Sequence, residues 1–139
     1  MDINDKANQL LKIRPHYSAE LARKLALRGF EKLDIEKVIN RLIEEGQLND
    51  GQYAQMYLDE LLRNKTFGFY MLKAKLMQRG IAGNEAETLL KENLSIELEK
   101  EIASRVVERA GDLDKIKLAQ KLQRKGFRSE VIREVISIK

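Results

Sequence analysis

Few residues in this sequence could carry out chemistry, and their types do not suit a reaction centre. The chain has one histidine, His16, and no cysteine, which excludes Cys–His pairs and ordinary zinc sites. His16 follows Pro15 in a predicted turn, a setting typical of a solvated surface histidine. There is no Gly-x-Ser-x-Gly elbow and no glycine-rich phosphate loop. The sequence therefore predicts a protein that is not an enzyme and needs no metal or cofactor.

Paired carboxylates are the remaining candidates for acid–base chemistry. Each pair lies on a predicted polar helix face, where solvated side chains are the expected interpretation. The pairs are Glu44 and Glu45, Asp59 and Glu60, and Glu97 and Glu101.

The positive charges are concentrated in two segments that lack acidic residues, although the net charge is only +4. Residues 61–84 contain no Asp or Glu, and neither do residues 115–128. Such segregation is typical of a protein that binds a polyanion or an acidic partner. Solvated helix faces are the alternative. The cations of the two segments are Arg63, Lys65, Lys73, Lys75, Arg79, Lys115, Lys117, Lys121, Arg124, Lys125 and Arg128.

Several of these cations belong to a decapeptide that occurs three times. The copies are LARKLALRGF from Leu21, LKAKLMQRGI from Leu72 and LAQKLQRKGF from Leu118. Leucines four residues apart share one helix face, and the glycine can end the helix in a left-handed conformation. Each copy also carries two cations four residues apart. The first cation either lays its stem over the neighbouring leucine or contributes to a basic ridge that faces a partner. The pairs are Lys24 and Arg28, Lys75 and Arg79, and Lys121 and Lys125.

Self-similarity at this period indicates a repeat architecture. One helical pattern precedes each decapeptide and another follows it, so we expect an all-α fold of nine short helices. They should form three tandem three-helix repeats, at residues 1–48, 49–93 and 94–139, in an elongated, curved array. The predicted helix N-caps include Asp34, Asn84, Ser95 and Ser129.

A three-helix unit with basic residues on one helix also resembles a helix-turn-helix DNA-binding unit. The N-terminal positions of the basic helices, however, share no base-reading code. They are residues 18–20, 69–71 and 115–117. Any nucleic-acid contacts are therefore expected to reach phosphates rather than bases.

The order and spacing of these elements resemble the RecX family of bacterial regulatory proteins over essentially the whole chain. The resemblance implies tandem three-helix units and a modulator of the recombinase RecA that usually acts negatively. RecX proteins bind in the groove of the RecA filament on single-stranded DNA. There they hinder filament growth, strand exchange, ATP turnover and repressor cleavage. The matching elements are YSAELARKLALRGF, IEKVINRLIEEGQLNDGQYAQMYL, GFYMLKAKLMQRGI, KLAQKLQRKGF and VIREVI.

Two features depart from the family pattern. After Gly68 the chain has Phe69, Tyr70 and Met71, where relatives often carry proline and arginine. The chain also starts almost at its first predicted helix, without the basic N-terminal extension of some relatives. Both differences reduce positive charge at the front of the molecule.

Together, the cations and the resemblance predict a regulator that occupies the groove of the RecA filament and meets single-stranded DNA through it. The alternative is a sequence-nonspecific DNA-binding module without a protein partner. No apolar run reaches the roughly 18 residues of a membrane span and no signal-peptide pattern is present, so we expect a cytoplasmic protein. We also expect it to be a monomer. Reversing the charges of Lys75 and Arg79 should weaken filament binding. The expected contact residues are Arg23, Lys24, Arg28, Arg63, Lys65, Lys73, Lys75, Arg79, Lys117, Lys121, Arg124, Lys125 and Arg128.

Overall fold

The computed structural model describes residues 1–138, so Lys139, the last residue of the third predicted repeat, lies outside the described residues. Within that range the chain forms nine α-helices and no strand, which confirms the all-α prediction. None of these helices has the length and hydropathy that a bilayer crossing requires. The helices are α1 (Ile3–Ile13), α2 (Ser18–Leu27), α3 (Lys32–Glu44), α4 (Asp50–Arg63), α5 (Phe69–Gln78), α6 (Gly83–Asn93), α7 (Ile96–Ala110), α8 (Lys115–Arg124) and α9 (Ser129–Ile138).

The repeated decapeptide forms the second helix of each predicted repeat, and its glycine follows the end of that helix. After α2, Gly29 N donates to Ala26 O at 3.0 Å and Phe30 N donates to Leu25 O at 3.3 Å. This is the Schellman arrangement, and the φ of +88° at Gly29 is one that glycine adopts without steric cost. The same pair of hydrogen bonds follows α8, where Gly126 has a φ of +85°. The predicted helix ends are therefore confirmed at these positions.

The predicted helix starts are confirmed only in part. Ser95 caps α7, because its hydroxyl accepts a hydrogen bond from Leu98 N at 3.0 Å. Ser129 is predicted as the cap of α9 but is its first helical residue, so the predicted start is one residue late. The predicted caps Asp34 and Asn84 are wrong: α3 begins at Lys32 and α6 begins at Gly83, so both residues lie inside the first turn.

The chain folds into two compact units. The first comprises Met1–Met56 and Gln78–Ile81, and the second comprises Tyr57–Met77 and the described residues from Ala82 onwards. The division into three repeats, and their elongated arrangement, stay predictions.

Each unit has a leucine-rich core built from the apolar faces of its helices. In the first unit, α1, α2 and α3 pack on one another, and the leucines of the decapeptide, Leu21 and Leu25, are fully buried. In the second unit α7, α8 and α9 pack on one another, and Leu118 and Leu122 are fully buried in the same way. The i and i+4 leucines thus define the buried face of each helix, as their spacing predicts.

Candidate functional site

The second helix of each predicted repeat carries the cations that the sequence analysis singles out. Lys24, Lys75 and Lys121 occupy equivalent positions in α2, α5 and α8, and all three are half-buried. Lys24 Nζ lies 2.8 Å from His16 Nε2, and Lys75 Nζ lies 4.7 Å from the centroid of the Phe67 ring. At Lys24 and Lys75 the ammonium group therefore lies against a side chain of the protein itself.

In the first unit, the turn at residues 78–81 lies against the start of α2. A Cβ atom added at Gly80 would lie 3.0 Å from Glu20 N and 3.3 Å from Ala19 Cβ. We call this contact the first junction. Its importance is that it brings polar side chains from distant parts of the sequence to one place.

Six side chains form a connected group at the first junction. Arg14 binds Glu20 with both ends of its guanidinium, from Nη1 to Oε1 at 3.0 Å and from Nη2 to Oε2 at 2.6 Å. Tyr53 Oη lies 2.8 Å from Arg79 Nη1, which donates to it, and 3.5 Å from Arg14 Nη1. We call this group the Tyr53 cluster; its members are Arg14, His16, Glu20, Lys24, Tyr53 and Arg79.

Positive charge exceeds negative charge in the Tyr53 cluster. Burial lowers the pKa of the Lys24 ammonium. The charges of Arg14, Arg79 and Arg23 lower this pKa further, and the Glu20 carboxylate opposes them. Burial raises the pKa of the Tyr53 hydroxyl, so this group is a neutral phenol at neutral pH. Three cationic side chains therefore share the cluster with one carboxylate.

The expectation that His16 is a solvated surface residue is wrong, because its exposed fraction is only 3%. An ammonium group has no acceptor, so Lys24 Nζ donates to His16 Nε2. The proton of the neutral ring then lies on Nδ1, which donates to Arg14 O at 2.9 Å. Burial lowers the pKa of His16, and the charges of Lys24 and Arg14 lower it further. His16 thus orients the Lys24 side chain.

In the second unit, the turn after α8 lies against the start of α5. Gly68 N donates to Lys125 O at 2.9 Å, and Tyr70 N donates to Gly126 O at 2.8 Å. A Cβ atom added at Gly126 would lie 2.7 Å from Met71 Cβ and 2.9 Å from Met71 Cα, closer than packed atoms allow. We call this contact the second junction.

The two junctions occupy equivalent places in the repeat. Gly80 and Gly126 are the glycines of the second and third decapeptides. Gly80 approaches Glu20, which directly precedes the first leucine of the first decapeptide. Gly126 approaches Met71, which directly precedes the first leucine of the second decapeptide. At both junctions, therefore, the decapeptide glycine lies close to the start of another second helix.

Glu99, which is fully buried, is the central polar residue of the second junction. Its Oε2 accepts hydrogen bonds from Phe69 N at 3.1 Å and Arg128 N at 3.0 Å. Its Oε1 accepts from Arg128 Nε at 2.6 Å. One carboxylate therefore binds backbone amides at the starts of α5 and α9 and neutralises a guanidinium.

The remaining predicted contact residues differ in exposure and in pairing. Lys73 Nζ lies 2.6 Å from Glu87 Oε1 and lowers the pKa of that carboxyl group, and Arg128 is paired with Glu99. These two cations are held in internal ion pairs. Lys121 and Lys125 are half-buried on or just after α8. The exposed members are Arg23, Arg28, Arg63, Lys65, Lys117 and Arg124.

Four site residues are not indicated by the charge pattern or by the decapeptide: Arg14, Glu20, Tyr53 and Glu99. Glu99 carries a readable signal, because residues 99, 102, 103 and 106 form the buried stripe of α7. A carboxylate in an apolar stripe requires a partner. Tyr53 lacks such a signal, since it lies 39 residues from Arg14 and 26 residues from Arg79.

Comparison with known proteins finds close full-length similarity. The chain is 32% identical over 138 residues to regulatory protein RecX of Trichlorobacter lovleyi, covering 93% of this chain and 90% of the relative. It is 33% identical over 137 residues to regulatory protein RecX of Chlorobaculum tepidum, covering 96% of this chain and 86% of the relative. The crystal structure of RecX from Lactobacillus salivarius matches with a TM-score of 0.83 and 25% identity over 97% of this chain and 92% of that one. A second crystal structure, of a regulatory protein RecX, shares the fold with a TM-score of 0.79 and 20% identity. No family model matches the chain.

Proposed function

This chain belongs to the RecX family, and from that membership we propose that it regulates the recombinase RecA. It binds in the groove of the RecA filament on single-stranded DNA and lowers ATP turnover, strand exchange and repressor cleavage. It acts in the cytoplasm, as a monomer, by occupancy rather than by catalysis. The observation that carries this proposal is the alignment with proteins named RecX over nearly their whole length.

The distribution of cations supports the proposal. Lys117 and Arg124 are exposed on α8, within a segment that has no acidic residue. A groove that contains DNA backbone is strongly negative, and exposed cations of this kind raise the rate of encounter with it. They need no base-specific contacts, because phosphates position a protein without reading sequence.

An ATPase titration with RecA on single-stranded DNA tests the proposal, and the best variants are at exposed positions. Arg79 is a poor choice for charge reversal, because its guanidinium binds Tyr53. The double variant Lys117→Glu, Arg124→Glu should raise the concentration for half-inhibition by about tenfold. It should also make binding less dependent on salt. The slope of the logarithm of the binding constant against the logarithm of salt concentration should fall by about one for each lost phosphate contact.

The matched control is Lys32→Glu, Lys37→Glu, which makes the same charge change at exposed positions of α3. It should leave inhibition within about twofold of the unmodified chain. If both double variants weaken inhibition equally, only net charge matters and contact through α8 is refuted. If the unmodified chain leaves RecA ATP hydrolysis unchanged at all concentrations, the proposed regulation is refuted.

The second candidate function, a DNA-binding module without a protein partner, is favoured by the two acid-free segments. A gel-shift assay on bare single-stranded and double-stranded DNA, at the ionic strength of the ATPase assay, separates the two. Tight binding to bare DNA with no effect on ATP hydrolysis would establish this alternative.

A further inference from the structure

The two junctions involve two of the three decapeptide glycines. Gly80 lies against the start of α2, and Gly126 lies against the start of α5. At Gly29, the glycine of the first decapeptide, an added Cβ atom would have no atom of the described residues within 4 Å apart from its chain neighbours. The turn after α2 therefore lacks, within the described chain, the contact that the other two decapeptide glycines make. We call residues 27–33 the open turn.

The burial of the three turns follows the same division. Ile81 and Phe127 directly follow the glycines of the two junctions and are both buried, whereas Phe30 of the open turn is only half-buried. Leu27 and Leu33 of the open turn are 80% and 68% exposed. The equivalent residues of the other two repeats are polar, namely Gln78, Arg124, Asn84 and Glu130. Two exposed leucines that flank one turn, at positions that are polar elsewhere, indicate a surface that a further contact covers.

The start of α8 has the complementary property. Each junction places a decapeptide glycine near the first turn of a second helix, at Glu20 in α2 and at Met71 in α5. The equivalent residue of α8 is Lys117, and none of the decapeptide glycines has its nearest neighbours there among the described residues. Glu20 is buried and Met71 is half-buried, but Lys117 is exposed, and Ile116 before it is 73% exposed. We call residues 115–117 the open start.

The first junction shows how a glycine turn can pack on the open start. The second junction admits no side chain at residue 68, where an added Cβ atom would lie 2.4 Å from a backbone atom of the turn after α8. The equivalent residue is Asp114 before α8 and Tyr17 before α2, so both of these helices begin after a side chain. Gly80 nevertheless lies against α2, with 3.0 Å between its added Cβ atom and Glu20 N. The start of α8 therefore suits a glycine turn in the geometry of the first junction.

Charge does not oppose such a contact. The open start is basic, because Lys115 and Lys117 are exposed. Residues 28–34 hold equal numbers of cations and acids, so this part of the open turn is neutral overall; they are Arg28, Lys32, Glu31 and Asp34. A basic surface thus meets a neutral one, and the exposed apolar side chains on both surfaces supply the attraction.

We propose that chains of this protein associate head to tail, with the open turn of one chain packed against the open start of the next. Gly29 then takes the place that Gly80 has in the first junction. Leu27 and Leu33 are removed from water together with Ile116 of the next chain. The two surfaces are different, so the contact is heterologous and can continue from chain to chain.

The contact is weak, because one turn and one helix start are small beside the roughly 1,600 Å² of a stable interface. The free chain therefore stays a monomer at low concentration. Chains held side by side on a common scaffold reach effective concentrations on the order of millimolar, at which the contact forms. The RecA filament is such a scaffold if the proposed function is correct. Only this consequence rests on the proposed function, since the contact itself stands on the surfaces of the chain.

Cross-linking of single-cysteine variants tests the contact without RecA. The chain has no cysteine, so Arg28→Cys and Lys115→Cys each introduce one thiol, at exposed positions of the open turn and the open start. The two variants are mixed at about 1 mM and treated with a short bis-maleimide. The cross-link between residues 28 and 115 should form about tenfold faster than the cross-link in a control mixture of Arg28→Cys and Arg105→Cys, which has its second thiol at an exposed position of α7.

Two results of this experiment would overturn the proposal. Equal rates in the two mixtures would show that the open turn and the open start do not meet. Faster cross-linking between two copies of Arg28→Cys than between residues 28 and 115 would show that the open turn pairs with itself.

The second experiment replaces the exposed leucines by the residues of the second repeat. Leu27→Gln, Leu33→Asn, made in the Arg28→Cys chain, should slow the cross-link between residues 28 and 115 to the rate of the control mixture. Ile13→Gln, at another exposed apolar position of the first unit, should leave the rate within about twofold. Circular dichroism establishes that the variants keep their helical content. A folded double variant that cross-links as fast as its parent would refute the contact.

The third experiment adds RecA on single-stranded DNA to the single-cysteine mixture at micromolar concentration. The filament should raise the yield of the cross-link between residues 28 and 115, and the double leucine variant should remove the increase. An unchanged yield would refute the role of the filament as scaffold, while the contact measured at about 1 mM would stand. If the thiol at residue 28 joins RecA instead of residue 115, RecA covers the open turn and the proposal is overturned.

Discussion

Replacing Gly68 by alanine tests the closest backbone contact of the second junction. A Cβ atom at this position would lie 2.5 Å from Phe127 N and 2.7 Å from Gly126 C. Non-bonded heavy atoms normally pack at about 3.5–4.0 Å, so the backbone would have to shift by roughly 1 Å. The φ of Gly68 is not in the left-handed region, since the positive values belong to other glycines. The cost of Gly68→Ala is therefore steric and does not include backbone strain.

The expected destabilisation follows from three contributions. Overpacking against backbone atoms costs about 1–3 kcal/mol. Displacing Gly68 N from Lys125 O, now 2.9 Å away, costs a further 0.5–1.5 kcal/mol or so. Alanine stabilises by about 0.4–1 kcal/mol through the reduced entropy of the unfolded chain. The free energy of unfolding should fall by about 2–3 kcal/mol, which corresponds to a drop in Tm of roughly 6–12 °C for a chain of this size.

Urea unfolding followed by circular dichroism at 222 nm measures this change, with Gly83→Ala as the control in the same unit. An alanine Cβ at residue 83 would meet nothing closer than 3.6 Å, and the residue begins α6. Gly83→Ala should leave stability unchanged or raise it by up to about 1 kcal/mol. If Gly68→Ala costs no more than Gly83→Ala, the start of α5 does not meet the turn after α8, and the second junction is refuted.

Two further predictions concern the buried ionisable groups. Glu99→Gln should destabilise the chain by about 3 kcal/mol, because it leaves Arg128 and two backbone amides without a carboxylate. The control is Glu101→Gln, at an exposed position of the same helix, which should change stability by less than about 0.5 kcal/mol. Equal losses in urea unfolding would contradict the role of Glu99. The folded pKa of His16 is lowered, so the folded chain binds a proton less readily than the unfolded chain, and stability should be lost as the pH falls below about 6.5. His16→Gln should remove this loss between pH 7 and pH 5, and an unchanged pH dependence would show that the histidine is not buried between Arg14 and Lys24.

The helices could be predicted from the sequence because their signals are local. Leucines four residues apart and a terminal glycine determine which face of α2 is buried and where the helix ends. The starts of α3 and α6 differ from the prediction because no side-chain oxygen caps them. Their N-cap residues, Glu31 and Ala82, are extended and make no side-chain cap hydrogen bond. Asp34 and Asn84 have the right residue types, but helix formation begins before them.

The candidate site was predictable only in part, because its members come from separate helices. The repeat identifies Lys24 and Arg79 as cations, but their contacts with His16 and Tyr53 depend on tertiary structure. His16 was mispredicted for the same reason. Nothing in the residues beside Pro15 indicates that the turn brings the imidazole ring of His16 against α2.

The differences between the repeats are more informative about function than the features they share. The shared leucines are buried in the same way, and at both junctions a glycine of positive φ lies close to the start of another helix. A carboxylate can be buried in an apolar stripe only if its charge is paired and hydrogen-bonded. The Glu99 carboxylate on α7 accepts hydrogen bonds at the starts of α5 and α9, and so joins three helices of one unit. At the equivalent position the phenol of Tyr53 accepts a hydrogen bond from Arg79. The close approach of the glycine turn to the start of α2 brings Arg79 to the Tyr53 hydroxyl in the first unit, so a neutral phenol holds an arginine there, where a buried charge does so in the second unit.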